Sequence, residues 1–312
     1  METAPAEGAA VVEAGRLRIA SATDVGRRRS QNEDSHVIWT GESAEERERF
    51  GALLVVADGM GGANAGEVAS RLAADAVLET YLQQGTEDPA GALGEAIRRA
   101  NAIVFEQATQ NEGQHGMGTT CTSLAIRGDR VWIAHVGDSR AYLVRGDAIR
   151  RLTRDHTLVA ELVERGHLTE SDAATDPRRN QLTRCVGALP EVNVDAGEWE
   201  DHLLPGDTLV MCSDGLYGCV TEGEIGMIAG DRAPEDAAVE LISLANERGG
   251  PDNITVVLAR ATGAPPRPAA PGARRALWIV VLVLLALLAI WAAWHFGSRA
   301  AASHVAAAFI AR

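Results

Sequence analysis

The spacing of apolar residues predicts a chain that mixes a few long helices with short strands. Residues such as Val68, Leu72 and Ala76 recur every three or four positions, which places them on one face of a helix. The same spacing extends over four stretches, residues 65–84, 89–110, 157–165 and 234–248. Because the first two stretches follow one another directly, we expect an antiparallel helix pair.

Short apolar runs with strand character are grouped in the middle of the chain and near residue 260. They lie at residues 119–127, 130–136, 140–145 and 254–259. Gly128-Asp129 separates the first two runs and is typical of a tight hairpin. Strands and helices that are grouped, without strict alternation, favour an α+β fold with layered antiparallel sheets over a doubly wound parallel sheet.

Single aspartates stand at the ends of several apolar runs. Three runs lead into Asp58, Asp138 and Asp214, and Asp252 comes just before a fourth run. Any one of these aspartates could simply belong to a turn. Strands that end at the same rim would bring all four together, however, and clustered carboxylates repel one another unless a cation lies among them. The set therefore favours a metal site.

A second acidic group lies near the start of the folded region, where Glu33 and Asp34 closely follow Arg29. These side chains could serve a metal ion and a phosphate together. The glycine cluster that includes Gly59 suggests close backbone approach to a ligand. A nucleotide-binding loop is the alternative, but Asn64 interrupts the GxGxxG pattern and the chain has no lysine for a P-loop.

The charge of the chain argues against nucleic acid as a partner. Residues 1–262 hold all 43 acidic residues and 24 of the 29 basic ones, which gives this part a net charge of −19. Nucleic-acid binding relies on basic groups that neutralise phosphates. An acidic domain instead attracts divalent cations.

Residues 276–296 predict a transmembrane helix, since these 21 residues contain no acid, arginine or lysine. At about 1.5 Å per residue they would span about 30 Å, the thickness of a bilayer core. Trp278 and Trp294 lie near the two ends, and Arg274-Arg275 precede the segment, which predicts a cytoplasmic N-terminal domain. A buried core helix is the alternative.

The amino-acid composition on either side of this segment predicts how the chain is divided into parts. The predicted parts are a disordered tail (1–14), a folded domain (15–262), a Pro/Ala/Gly-rich linker (263–275), the membrane helix (276–296) and a short extracytoplasmic tail (297–312). We therefore expect a single-pass protein of the cytoplasmic membrane with its folded domain in the cytoplasm.

Seven short motifs occur in the order found in one family. They are NED (32–34), VADGMGG (56–62), GMGTT (116–120), HVGDSR (135–140), LTRDH (152–156), CSDGL (212–216) and GPDNIT (250–255). Over about residues 15–262 the chain resembles the bacterial metal-dependent serine/threonine protein phosphatases of the 2C type. The resemblance implies a four-layer α-β-β-α sandwich of two antiparallel sheets between outer helices.

The resemblance also implies a centre with two Mn²⁺ or Mg²⁺ ions. Asp58 would bridge both ions, and the carbonyl of Gly59 would join their ligands. Asp214 and Asp252 would complete the shell of one ion. Oxygen ligands suit Mg²⁺ and Mn²⁺, and no CxxC pair or His/Cys cluster points to zinc.

Further residues would complete this site from other parts of the chain. Glu33 and Asp34 would serve the second ion, directly or through waters, and Asp138 with Asp214 would form a third, weaker metal site. Arg29 would bind the substrate phosphate.

The implied reaction is hydrolysis of phosphoserine and phosphothreonine in proteins by a water that the two metals activate, without a phosphoenzyme. The implied partners are phosphoproteins and a Ser/Thr kinase that the enzyme opposes. Two other functions stay open: a catalytically silent phosphoprotein-binding module, and a hydrolase of small phosphate esters or nucleotides.

The chain departs from the family at the residue expected to protonate the leaving group, whereas residues 166–184 resemble the flap of the bacterial members. Relatives carry a histidine at the position of Met60 or Ala63, so the general acid is unassigned here. We expect His135 and His156 to be structural. The three arginines near the end of the flap would either recognise acidic groups around the substrate phosphate or dock the flap.

Overall fold

The computed structural model describes residues 9–61, 65–84 and 87–263, which fold into strands and helices of ordinary length. The strands are β1 (Ala10–Ala14), β2 (Leu17–Asp24), β3 (Asp34–Trp39), β4 (Ala52–Met60), β5 (Gly118–Thr119), β6 (Cys121–Arg127), β7 (Arg130–Val136), β8 (Arg140–Arg145), β9 (Ala148–Arg151), β10 (Asp195–Glu198), β11 (Thr208–Cys212) and β12 (Ile254–Ala261). The α-helices are α1 (Ala44–Phe50), α2 (Ala65–Gln84), α3 (Pro89–Gln110), α4 (Leu158–Glu164), α5 (Glu170–Thr175), α6 (Asp214–Tyr217), α7 (Glu222–Asp231) and α8 (Pro234–Glu247).

The strands form two antiparallel sheets. One sheet has the order β1-β2-β12-β11-β8-β9, and the other has the order β10-β7-β6-β4-β3 with β5 paired to β4. Strands close in sequence pair as hairpins, such as β6 with β7 around Gly128, whose φ of 67° suits the tight turn. The predicted α+β class with antiparallel sheets is confirmed.

Alternate residues of the central strands face different layers. In β4, Leu53 and Val55 pack among α2 and α3, whereas Leu54 and Val56 pack against residues of the other sheet. The period of two follows from the strand geometry. Strands β11 and β12 behave in the same way, with one face toward the opposing sheet and the other toward α7 and α8. The layers therefore run helix, sheet, sheet, helix.

The four predicted helices are all present. The helix limits at residues 65–84 and 89–110 agree with α2 and α3, and those at 157–165 and 234–248 agree with α4 and α8 to within one residue at each end. Asp88 and Thr157 cap α3 and α4 by accepting hydrogen bonds from backbone N–H groups of the first turn. Polar side chains that satisfy these orphan donors explain why both helices begin where they do.

The prediction of a disordered tail over residues 1–14 was wrong for Ala10–Ala14, which forms strand β1 at the edge of a sheet. Its side chains are mostly exposed, so its composition resembles that of a disordered segment. The strand is ordered by backbone pairing with β2, with Ala10 opposite Ser21 and Ala14 opposite Leu17. Backbone hydrogen bonds of this kind leave little trace in composition.

The predicted membrane helix at residues 276–296 lies outside the described residues, as do nearly all of the linker and the whole C-terminal tail. Within residues 9–61, 65–84 and 87–263, none of the helices combines the length and the apolar character needed to cross a bilayer.

Candidate metal centre and its cavity

The strand-end aspartates converge at one rim of the sandwich. Asp34 and Asp58 lie directly opposite each other on β3 and β4. Asp138 follows β7, Asp214 begins α6 after β11, and Asp252 precedes β12. Each carboxylate in this set contributes to the electrostatic environment of others, so the aspartates lie near one another at this rim.

Burial and mutual repulsion make ionisation of this cluster costly. Burial, with the charges of neighbouring aspartates, raises the pKa of Asp34 to about 7 and that of Asp138 to about 7. The same causes raise the pKa of Asp214 to about 6 and hold that of Asp58 well above its ordinary value. Carboxylates in this condition are stabilised by a nearby cation.

The hydrogen bonding of Asp34 tests whether a cation fits this rim. Its Oδ2 accepts a hydrogen bond of 2.7 Å from the hydroxyl of Ser213. Its Oδ1 is buried and has no hydrogen-bond partner. A buried acceptor without a partner is costly, and a metal ion or a metal-bound water would satisfy it. The donor set around it, carboxylates and hydroxyls, fits Mg²⁺ or Mn²⁺.

Two glycines allow the elements that carry the aspartates to meet. A Cβ at Gly59 would lie 2.2 Å from the carbonyl oxygen of Gly66, and one at Gly215 would lie 2.1 Å from that of Asn253. No other residue would let β4 approach the start of α2, or α6 approach the loop before β12. The close approach of Gly215 to Asn253 brings the neighbouring Asp214 near Asp252.

Asn253 organises the N-terminal side of the site, a role that the sequence analysis missed. Its side-chain oxygen accepts from the Glu33 amide (2.8 Å), and its Nδ2 donates to the carbonyls of Val25 and Gln31. The loop that carries Arg29 and Glu33 is therefore fixed to the residue after Asp252. The signal available in the sequence is an asparagine between Asp252 and the apolar run that follows it.

Two of the acidic residues, Asp252 and Asp34, accept hydrogen bonds from side chains of the protein. Arg29 donates to Oδ2 of Asp252 at 2.7 Å, while Ser213 holds Asp34. Among the described residues, no three His, Cys, Asp or Glu side chains stand in the arrangement of a ready-made metal cage. The carboxylates share one rim, and the contact with Arg29 neutralises part of the charge of Asp252.

A cavity of about 660 Å³ opens beside the rim. Its lining includes Asp214 and Asp252 from the rim and Val159 and Ala173 from α4 and α5. No histidine lines this cavity within the part of the chain that the structure describes, so no imidazole replaces the missing family histidine there. The wall combines apolar and charged groups, as a site for a phosphorylated peptide would.

The three arginines of the flap have different surroundings. Arg178 pairs with Asp176 at 2.8 Å, and Arg184 pairs with Asp195 at 2.7 Å. Arg179 lines the cavity instead, and its charge opposes the rise in the pKa of Asp214. Arg184 therefore attaches the end of the flap to β10, whereas Arg179 places positive charge in the cavity.

Comparison with known proteins agrees with this geometry. Residues 20–187 match the family model for protein phosphatase 2C. The serine/threonine phosphatase stp of Listeria innocua is 38% identical over 244 residues, which cover 76% of this chain and 92% of that protein.

Solved structures give the same result. The S. agalactiae serine/threonine phosphatase is 36% identical, with a TM-score of 0.70 over 78% of this chain and 99% of that chain. The catalytic domain of the serine/threonine protein phosphatase PstP, in complex with two manganese ions, is 34% identical, with a TM-score of 0.66 over 79% of this chain and 99% of that chain.

Proposed function

Because the chain belongs to the protein phosphatase 2C family, we propose that it is a metal-dependent phosphatase that hydrolyses phosphoserine and phosphothreonine in proteins. The observation that carries this proposal is the cluster of partly or fully buried aspartates beside a cavity, in which the carboxylates repel one another. The two manganese ions in the PstP complex support Mn²⁺ or Mg²⁺ as the cations of this centre.

The acidic residues would divide the work of holding metal. Asp58 stands opposite Asp34 and close to Asp138 and Asp214, so it is the best placed to bridge two ions. Asp214 and Asp252 would complete one ion, and Asp34, with its unpartnered Oδ1, would serve the other. When bound, the ions supply positive charge to the phosphate and a nucleophilic water at neutral pH.

The roles of Glu33, Gly59 and Asp138 are also proposed. Glu33 follows the loop fixed by Asn253 and would act through waters, since it is only partly buried. The backbone of Gly59 would add a carbonyl ligand. Asp138 would hold a third, weaker ion with Asp214, whose charge it feels most strongly among its neighbours.

Arginines would recognise the phosphate. The Arg29 side chain is about half exposed and contacts Asp252 through a single nitrogen, Nη2. A guanidinium has five N–H donors, so others remain in position for phosphate oxygens. Arg179 would contact charged groups of the peptide from the cavity wall. Without a histidine in the lining, a water in the cavity would protonate the leaving oxygen of serine or threonine.

We further propose that residues 276–296 anchor the enzyme in the cytoplasmic membrane and that it opposes a Ser/Thr kinase. The apolar sequence of the segment supports the anchor. Removal of residues 276–312 should move the protein from the membrane fraction to the soluble fraction while phosphatase activity is retained. If the shortened and full chains fractionate alike, the anchor is wrong.

The activity itself is tested by Mn²⁺-dependent release of phosphate from a phosphothreonine peptide. Asp58→Asn and Asp214→Asn should abolish it, whereas Asp201→Asn, at an exposed position outside the rim, should not. A nucleotide and p-nitrophenyl phosphate serve as alternative substrates. Faster turnover of the nucleotide than of the peptide would indicate a small-phosphate hydrolase, and metal-dependent peptide binding without turnover would indicate a silent member.

A further inference from the structure

We propose that His156 is a positioning residue that ties the cavity wall, residues 157–184, to the loop that carries Asp138. The inference rests on the proposed function, which assigns Asp138 to the reaction and the cavity wall to the peptide. The contacts that carry it involve neither the acidic rim nor the cavity lining. They lie in a buried polar cluster between β7, β10 and the residues before α4.

His156 clamps the residue that precedes Asp138 from both sides. Its backbone N–H donates to the carbonyl of Gly137 at 2.7 Å. The Gly137 N–H in turn donates to Nδ1 of the His156 ring at 3.1 Å. Gly137 has a φ of 108°, and a Cβ there would lie 2.6 Å from the Thr120 side chain. The loop conformation thus depends on glycine, and His156 holds it in place.

The same ring fixes the far end of the cavity wall. Since Nδ1 accepts a hydrogen bond, the ring proton resides on Nε2, which donates to Oδ2 of Asp195 at 3.1 Å. The other oxygen of Asp195 accepts from Arg184 at 2.7 Å. The carbonyl of His156 also accepts from the Thr183 N–H at 2.8 Å. One residue therefore joins both ends of the wall to Gly137.

His135 supports this arrangement from within the sheet. Its ring lies 4.8 Å from that of His156, centroid to centroid, and both side chains are buried. His135 Nε2 contacts the carbonyl of Arg154 at 3.0 Å, and Nδ1 contacts the Thr122 hydroxyl at 2.8 Å. Burial lowers the pKa of both histidines, so both rings are neutral near pH 7 and act through hydrogen bonds rather than charge.

Two substitutions separate the two contacts of the His156 ring. In His156→Asn, the side-chain carbonyl can replace Nδ1 as the acceptor for Gly137, but it is too short to reach Asp195. In His156→Gln, the longer amide can donate to Asp195, but it leaves Gly137 without its acceptor. Asp195→Ala, at a half-exposed side chain, removes the link to the wall without altering either ring.

Limited digestion with trypsin measures the wall without reference to activity. The chain has no lysine, so trypsin cleaves only after arginine, and Arg165, Arg178 and Arg179 are exposed sites within the wall. We expect His156→Asn and Asp195→Ala to accelerate cleavage there by about 5- to 10-fold, the effect of one lost hydrogen bond. His156→Gln should digest at the wild-type rate. Cleavage after the exposed Arg98 on α3 should be unchanged in all three variants.

Steady-state kinetics on a phosphopeptide give the second readout. His156→Gln should lower kcat with KM near that of the wild type, because Asp138 loses its support. His156→Asn and Asp195→Ala should mainly raise KM, because the wall is released. Equal effects of the Asn and Gln variants, or equal acceleration at Arg98 and in the wall, would overturn the proposal. An inactive wild-type enzyme would refute the proposed function, and the digestion pattern would still test the link.

Discussion

Two aspartates of this domain, Asp207 and Asp58, have opposite electrostatic surroundings. Asp207, whose side chain is 3% exposed, accepts from Arg145 at 2.8 to 3.1 Å and from the Leu204 amide at 2.7 Å. Asp58 is only partly buried, but its neighbours in the rim are other carboxylates, and among the described residues no arginine forms an ion pair with it. The first aspartate is satisfied by the fold, whereas the second requires a cation that the chain does not supply.

The difference separates structural from functional carboxylates. A buried charge that has a full set of partners holds two segments together and needs nothing more. A partly buried charge among like charges costs free energy that is relieved by a bound cation or by protonation. Stability and activity should therefore respond in opposite ways when each kind of aspartate is neutralised.

The largest expected effect is that of Asp58→Asn on activity. Loss of the bridging carboxylate should reduce kcat/KM on the phosphothreonine peptide by about 10³-fold or more. The metal-free variant should be as stable as the wild type or more stable, because one repelling charge is gone. Urea unfolding of the metal-stripped proteins measures this, and a strongly destabilised variant would contradict the distinction between the two aspartates.

The matched variant Asp207→Asn should show the opposite pattern. Its folded fraction should keep wild-type kcat/KM, while the free energy of unfolding should fall by about 1 to 2 kcal/mol. The figure is modest because Arg145 is one-third exposed and keeps its contact with Asp201. A loss of activity without a loss of stability would count against a purely structural role.

The second prediction concerns the pH dependence of stability in the absence of metal. In the folded state the pKa values of Asp34 and Asp138 are about 7 and that of Asp214 is about 6, all above the ordinary value near 4. The folded state therefore binds protons that the unfolded state releases. Stability should be highest below pH 4 to 5 for these groups and should fall by a few kcal/mol as pH rises through 6 to 7.

The buried histidines work against this trend. Burial lowers the pKa of His135 to about 4, so its contribution to stability rises between pH 4 and 6.5. We expect the carboxylates, which are more numerous, to dominate the sum. Urea unfolding at pH 5 and pH 7.5 measures how the free energy of unfolding changes with pH. Mn²⁺ should abolish this change, and Asp58→Asn should reduce it. Stability that rises with pH in the metal-free wild type would be contrary to the repulsion described above.

The third prediction concerns phosphate recognition. Arg29→Met should reduce kcat/KM about 10- to 100-fold, the usual range for a charge-assisted hydrogen bond of 1.5 to 3 kcal/mol. Arg29→Lys should recover only part of the loss, because an ammonium cannot offer two parallel N–H donors. Full recovery by lysine would mean that Arg29 acts only as a point charge.

The smallest expected effect is that of Arg179→Met in the cavity wall. It should lower kcat/KM on a phosphopeptide about 3- to 10-fold, as expected for a partly solvated charge contact. The matched control is Arg178→Met, because Arg178 pairs with Asp176 outside the cavity lining. Steady-state assays with p-nitrophenyl phosphate should show no effect of either variant, since that substrate does not reach the wall. If Arg178→Met and Arg179→Met lower kcat/KM on the peptide equally, the separate roles proposed for these two flap arginines are wrong.

Features with strong periodicity or fixed motifs could be predicted from the sequence. The limits of α2 and α3 follow from apolar spacing, and the meeting of Asp58 with Asp138 and Asp214 follows from their positions at strand ends. Such patterns are predictable because a single local rule produces them.

Features that depend on long-range partners could not be predicted. Strand β1 owes its order to pairing with β2, and Asn253 owes its role to carbonyl groups more than 200 residues away in the chain. The flap arginines are alike in sequence, yet only the fold decides that Arg184 meets Asp195 while Arg179 lines the cavity. Helix α7 was also missed, because its short apolar pattern is weaker than that of α8.

Calorimetric titration of the metal-stripped full chain with MnCl₂ tests the need of the acidic rim for cations most directly. The wild type and Asp207→Asn should bind at least two ions per chain. Asp58→Asn and Asp214→Asn should lose at least one of these sites while their thermal unfolding stays cooperative. Binding by Asp58→Asn with the stoichiometry and affinity of the wild type would contradict the role assigned to the unpaired aspartates.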